Sequence, residues 1–259
     1  MQHIDIERHG TGSETIAFLH GVFMERGLWD DVIESLNDVS VVTIDMPGHG
    51  TAPALAPDLS LDDHVRAVAE AFDEMDIANV LLVGHSWGGM VALRLAHLRP
   101  DLVRGIVFSN TPLLRVRGAG RTGFGAQRLM LALGLPAGFY GRMAARALIG
   151  QGHRAAHPED TRALALRLER MGRQTIREII RSVLLEPGDA IELLETLPVP
   201  WTFVAGTDDY VLENGVADAI RRAGHLETVP GGHTTPLEDP TSVARAISRM
   251  RRAAIDLPA

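Results

Sequence analysis

Val80-Leu81-Leu82-Val83-Gly84-His85-Ser86-Trp87-Gly88-Gly89 decides how the rest of this 259-residue chain is read. A short aliphatic run, a serine framed by glycines and a helical stretch over Trp87–His97 spell strand, sharp turn, helix. A serine on such a turn sits in strained backbone geometry, and small residues two before and two after relieve the crowding. Its hydroxyl projects above the carboxyl edge of a sheet, at the positive end of the following helix. The five-residue pattern alone arises by chance in many chains; the strand before and the helix after give it weight. Ser86 is the candidate nucleophile.

Outward from this turn, short apolar runs alternate with amphipathic stretches, as in a parallel sheet with crossover helices. Strands are expected at 15–19, 39–44, 80–83 and 105–108, each mostly apolar because helices cover both faces. Leu61–Met75 reads as a helix, with Ser60 as N-cap and acids in the first turn; Trp87–His97 is ended by Arg99-Pro100. From Thr111 to Glu195 the rhythm breaks. Four glycines, at 118, 120, 123 and 125, make 115–125 a mobile connection rather than a helix. Helices are expected at 127–133, 140–149, 159–170 and 174–185. After Leu197-Pro198-Val199-Pro200 the alternation resumes, with strands at 201–205 and 225–229 and helices at 211–223 and 241–252. The expected architecture is α/β: a mostly parallel central sheet with helices on both faces, formed by residues 1–110 and 196–259, and an inserted helical cap, 111–195.

Composition narrows the function. The formal charge of −8 argues against nucleic acid, whose phosphates need clustered cations. No apolar run reaches the roughly 18–20 residues that span a bilayer. The start, Met1-Gln2-His3-Ile4-Asp5, lacks the basic and apolar regions of a secretion signal, so a cytoplasmic protein is expected. Without cysteine there is no disulfide, thiolate nucleophile or cysteine metal site. All 25 basic residues are arginine, which closes lysine Schiff-base chemistry. Residues 111–195 hold 13 of these arginines against 8 acids, while the remainder has 12 against 25 acids. This middle excess is read as a solvated helix surface in preference to an anion site.

The strand–Ser86–helix turn, His20-Gly21 after an early strand and Asp45-Met46-Pro47-Gly48-His49-Gly50 after the next together resemble the α/β-hydrolase superfamily. The likeness covers nearly the whole chain, which looks like the small bacterial serine esterases and enol-lactonases with a helical cap. It implies a catalytic triad in the order serine, acid, histidine. His233, in Pro230-Gly231-Gly232-His233, lies between the last strand and the last helix, where the family's base sits. His20, His49 and His85 belong to the motifs above and are read as structural, and His97, His153 and His157 as surface residues. The acid follows Gly206-Thr207-Asp208-Asp209 and is assigned to Asp209 over Asp208. Ser109-Asn110-Thr111 offers no carboxylate at the other place the family uses. The oxyanion hole would be the backbone N–H groups of Val22 and Trp87, with the Trp87 ring packing beneath the turn.

These assignments imply an ester or lactone hydrolase acting through an acyl-enzyme, needing no cofactor and no metal. The expected partners are a small, largely apolar substrate and at most a second copy of the chain. His20, Phe124, Met130, Phe139, Tyr140 and Met143 are candidate pocket residues, with Met171 near them; packing of the cap onto the core is the plainer role for any one. A serine in place of aspartate argues against dehalogenase and epoxide-hydrolase chemistry. Competing readings are a C–C bond hydrolase or cofactor-free oxygenase with the same triad, and a non-catalytic ligand receptor on the same fold. Hydroxynitrile lyase chemistry is disfavoured by the absence of lysine.

Overall fold

Each apolar run identified above lies on a strand; all but the last are extended by one to three residues, and the last is described from Leu226. β1 (Asp5–His9), β2 (Glu14–Leu19), β3 (Val39–Asp45), β4 (Val80–His85), β5 (Val103–Ser109), β6 (Trp201–Gly206) and β7 (Leu226–Val229) form one sheet in the order β1-β3-β2-β4-β5-β6-β7. The computed structural model describes residues 4–54, 58–210, 216–223 and 226–255. Among the described residues only β1 runs antiparallel, pairing Ile6 with Ile44 of β3; every other pair is parallel. β1 escapes the sequence reading because its Asp5-Ile6-Glu7-Arg8-His9 is charged and half exposed, as an edge strand is. β3 and β4, in contrast, are buried at every residue.

Helices α1 (Asp30–Glu34), α2 (Leu61–Glu74) and α3 (Trp87–Leu98) follow β2, β3 and β4. α2 starts with a capping box: Ser60 Oγ accepts the Asp63 N–H, and the Asp63 carboxylate accepts the Ser60 N–H. Between β5 and β6 lie only helices: α4 (Gly118–Ala132), α5 (Ala137–Leu148), α6 (Gln151–Ala156), α7 (Pro158–Ile179) and α8 (Ile191–Glu195). α9 (Val216–Arg222), α10 (Thr235–Glu238) and α11 (Pro240–Ile255) complete the chain. The expected helix 211–223 is described from Val216 onward; 211–215 and His225 lie outside the described residues.

The expectation of a mobile connection at 115–125 is corrected: from Gly118 this stretch is helical. Tertiary contacts override the glycine propensity. Arg121 and Arg128 donate from α4 to the carbonyls of Leu185 and Arg177, and Leu131 is buried beneath it. The two helices expected at 159–170 and 174–185 meet at Gly172, whose φ of 80° and ψ of 160° interrupt α7. Beyond Ile179 the chain winds more widely over Ile180–Leu185, with the Glu186 N–H reaching back five residues to Arg181. Among the described residues no helix is long and apolar enough to cross a membrane.

Candidate active site

Parallel pairing carries the carboxyl ends of β2, β4, β5 and β6 to one edge of the sheet, where a doubly wound fold binds ligands. Ser86 leaves β4 there with φ 49° and ψ −114°, a conformation that L side chains rarely adopt. The glycines beside it are required by close approach. A Cβ on Gly88 would lie 2.1 Å from the Leu19 carbonyl oxygen, and one on Gly89 would lie 1.9 Å from Thr111 Oγ1. The strained turn is locked by the Ser86 N–H donating to the Ser109 carbonyl at 2.8 Å.

Three of the singled-out residues converge. His233 Nε2 lies 2.9 Å from Ser86 Oγ, and His233 Nδ1 lies 2.9 Å from Asp209 Oδ1. Because a carboxylate only accepts, Nδ1 carries the proton and Nε2 is left to accept from the serine hydroxyl. All three are buried. Asp208, the competing acid, is exposed; its backbone N–H closes a turn onto the Gly231 carbonyl.

The histidine loop is held from two sides. Glu238 accepts the N–H groups of Gly232 and Thr234, on either side of His233. The Leu148 carbonyl, at the end of α5, accepts the His233 N–H at 3.1 Å and the Thr234 hydroxyl at 3.0 Å. Tyr210 stacks on the imidazole, with ring centroids 4.8 Å apart and planes inclined by 24°.

Sequence reasoning missed Asn110. It is fully buried with φ 49°, and its Nδ2 donates to Asp209 Oδ2 at 2.5 Å and to the Gly232 carbonyl at 3.2 Å. Its Oδ1 faces the hydroxyls of Thr235 at 2.5 Å and Ser109 at 3.1 Å. Asparagine tolerates a left-handed backbone, which was the available signal.

His20 and His49 are fully buried crosspieces. His20 Nδ1 donates to the Gly21 carbonyl and Nε2 accepts the Met46 N–H at 3.0 Å. His49 does the same between the Pro47 carbonyl and the Phe23 N–H. Burial pushes the His20 pKa down to about 4, partly opposed by its bond to Gly21. Burial, then the neighbouring His20, pushes that of His49 well below 6.5. The rings surround Trp87, which is buried with His49 at 5.2 Å and His64 at 4.9 Å. Gly21 is pressed against the turn, since a Cβ there would stand 3.1 Å from that of Ser86. The N–H groups of Phe23 and Met24 are used within this loop. Among the described residues the Val22 N–H has no such acceptor, and the Trp87 N–H opens α3, where no intrahelical acceptor exists.

A cavity of about 660 Å³ opens over Ser86. Met90, Leu113, Phe124, Val183, Leu184 and Val216 give it apolar walls. Of the pocket candidates only Phe124 borders it. Met130, Phe139 and Met143 are corrected to exposed positions on the outer faces of α4 and α5, 41%, 46% and 39% accessible. Tyr140 is buried against Phe23 and bonded to Gln127, and His20 serves the loop already described. Met171 is half-buried and packs against the core. The sequence had no means of telling which face of each helix turns inward. Among the described residues no cluster of three or more His, Asp or Glu could hold a metal ion.

A strained serine lies beneath a cavity, bonded to an imidazole that is bonded to a carboxylate, an arrangement in which a base can take a serine's proton. The chain belongs to the alpha/beta hydrolase family, whose model matches residues 16–246. It is 35% identical over 107 residues to (E)-2-((N-methylformamido)methylene)succinate hydrolase of Acinetobacter baylyi, 41% of each chain. It is 34% identical over 105 residues to the lipase LipV of Mycobacterium tuberculosis, 40% of each. The chain thus spans about two-fifths of the length of these curated relatives. Its fold is similar to that of a thermophilic esterase from Thermogutta terrifontis, with a TM-score of 0.85 at 21% identity, covering 97% of this chain and 93% of the other. It is also similar to that of the enol-lactonase from Burkholderia xenovorans, with a TM-score of 0.82 at 16% identity and 96% of each chain.

Proposed function

We propose that the chain hydrolyses a carboxylic ester or lactone of a small, largely apolar substrate through an acyl-enzyme on Ser86. The observation that carries this reading is the buried relay Ser86–His233–Asp209, with both links at 2.9 Å and placed under an apolar cavity. His233 takes the hydroxyl proton as Ser86 attacks the carbonyl carbon, and Asp209 stabilises the imidazolium and fixes its tautomer. The N–H groups of Val22 and Trp87 receive the developing oxyanion. His233 then returns the proton to the leaving alcohol, and water releases the acyl group by the same steps in reverse roles. Residues 111–195 act as the cap that shapes the substrate space, over a core of 1–110 and 196–259.

An ester, lactone and thioester panel, run on wild type and Ser86→Ala together, tests this. Ser86→Ala should abolish turnover down to a residue of about 10³ over water. A fluorophosphonate probe should label wild type and leave the variant unlabelled. Full activity in Ser86→Ala would overturn the proposal.

A further inference from the structure

Beyond Leu114 the cavity over Ser86 does not close; it reaches the start of α4 and the Pro187-Gly188 turn. There it shares Arg115, Val116, Arg117, Gly118, Pro187 and Gly188 with a second recess of about 640 Å³, which also touches Arg121. The two spaces adjoin along these residues, with apolar walls above the serine and arginines at the mouth.

The charges at this mouth do not cancel. Glu186 is committed to Arg181 at 2.6 Å. Asp189 pairs with Arg117 and also accepts the Arg115 N–H at 2.9 Å. Arg121 donates only to a neutral group, the Leu185 carbonyl, at 2.6 Å. Among the described residues the guanidinium groups of Arg115 and Arg121 have no carboxylate within ion-pair distance. Three arginines against Asp189 leave two positive charges where the recess adjoins the cavity over Ser86.

We propose that this mouth is an anion subsite: the substrate carries a carboxylate at the end remote from its scissile carbonyl, held by Arg115 and Arg121. The guanidinium fork matches a carboxylate's two oxygens, whereas the apolar walls between mouth and serine select the intervening chain. The inference deepens the ester-hydrolase reading and rests on it. It also departs from a merely solvated arginine surface, because Arg115 lines the same cavity as Ser86 and Arg121 lines the recess that adjoins it.

Two ester pairs test it, each differing by a carboxylate in place of a methyl group. One is p-nitrophenyl hydrogen adipate against p-nitrophenyl hexanoate, with the anion on the acyl side. The other is 4-acetoxybenzoate against 4-methylphenyl acetate, with the anion on the leaving side. Wild type should prefer the carboxylate member of at least one pair in kcat/KM. Arg115→Gln/Arg121→Gln should lower that preference about tenfold, as should raising salt from about 0.05 to 0.5 M in part. The neutral partner of each pair is the internal reference for folding. No carboxylate preference in wild type, or one that survives the double substitution, overturns the subsite. Turnover of the neutral esters that persists in Ser86→Ala would instead overturn the underlying serine-hydrolase reading.

Discussion

Asp209 and Asn110 carry the sharpest expectations at the scale of single residues. Asp209→Asn should lower turnover by up to about 10⁴, because the imidazole loses both its tautomer and its counter-charge. Asp208→Asn, on an exposed turn, should leave turnover near wild type; the opposite ranking would move the acid to Asp208. Asn110→Ala removes the donor to Asp209 Oδ2 and strands the Gly232 carbonyl. A buried polar group left unsatisfied costs about 1–3 kcal/mol, so kcat should fall about ten- to a hundredfold if the misplacement is felt in the transition state. Asn110→Asp, which keeps the shape and the backbone tolerance but loses the amide donor, should be no better. Wild-type kcat in both variants would show that Asn110 only fills space. Ser86, His233 and Asp209 could be read from sequence because each is fixed by a local turn and by chain order. Asn110 could not, because its role exists only once β5 and β6 lie side by side and bring residues 99 positions apart into contact.

Among the elements, the core strands and α2 were legible because apolar runs and an N-cap serine followed by acids are local signals. α4 was not, since its glycines point to a loop while its stability comes from carbonyls on Arg177 and Leu185, far along the chain. That conflict is itself testable. A Cβ on Gly123 or Gly125 would meet nothing within 4 Å. Each glycine-to-alanine change should therefore stabilise the helix by about 0.5–1 kcal/mol, seen as a higher urea midpoint. Loss of stability at both sites would count against a helix beginning at Gly118.

For the molecule as a whole, the buried histidines set the acid limit of the fold. His20 titrates near 4 when folded against an ordinary value of 6.5, and burial depresses His49 and His85 in the same direction. As pH falls, the unfolded chain takes up these protons first. Stability is thus intact above pH 6.5 and declines as pH drops from 6.5 toward about 4. The His20 shift alone corresponds to on the order of 3 kcal/mol over that window. A urea midpoint that stays flat between pH 7 and about 4.5 would refute the assignment of neutral, buried crosspieces. The Leu148 carbonyl, between β5 and β6 in the chain, accepts both the His233 N–H and the Thr234 hydroxyl. The helical stretch between β5 and β6 is therefore a bearing for the imidazole as well as a source of cavity walls such as Phe124 and Val183. Swapping residues 111–195 for a foreign segment to redirect specificity would remove that bearing, and a graft succeeds only if it returns a carbonyl to the same spot.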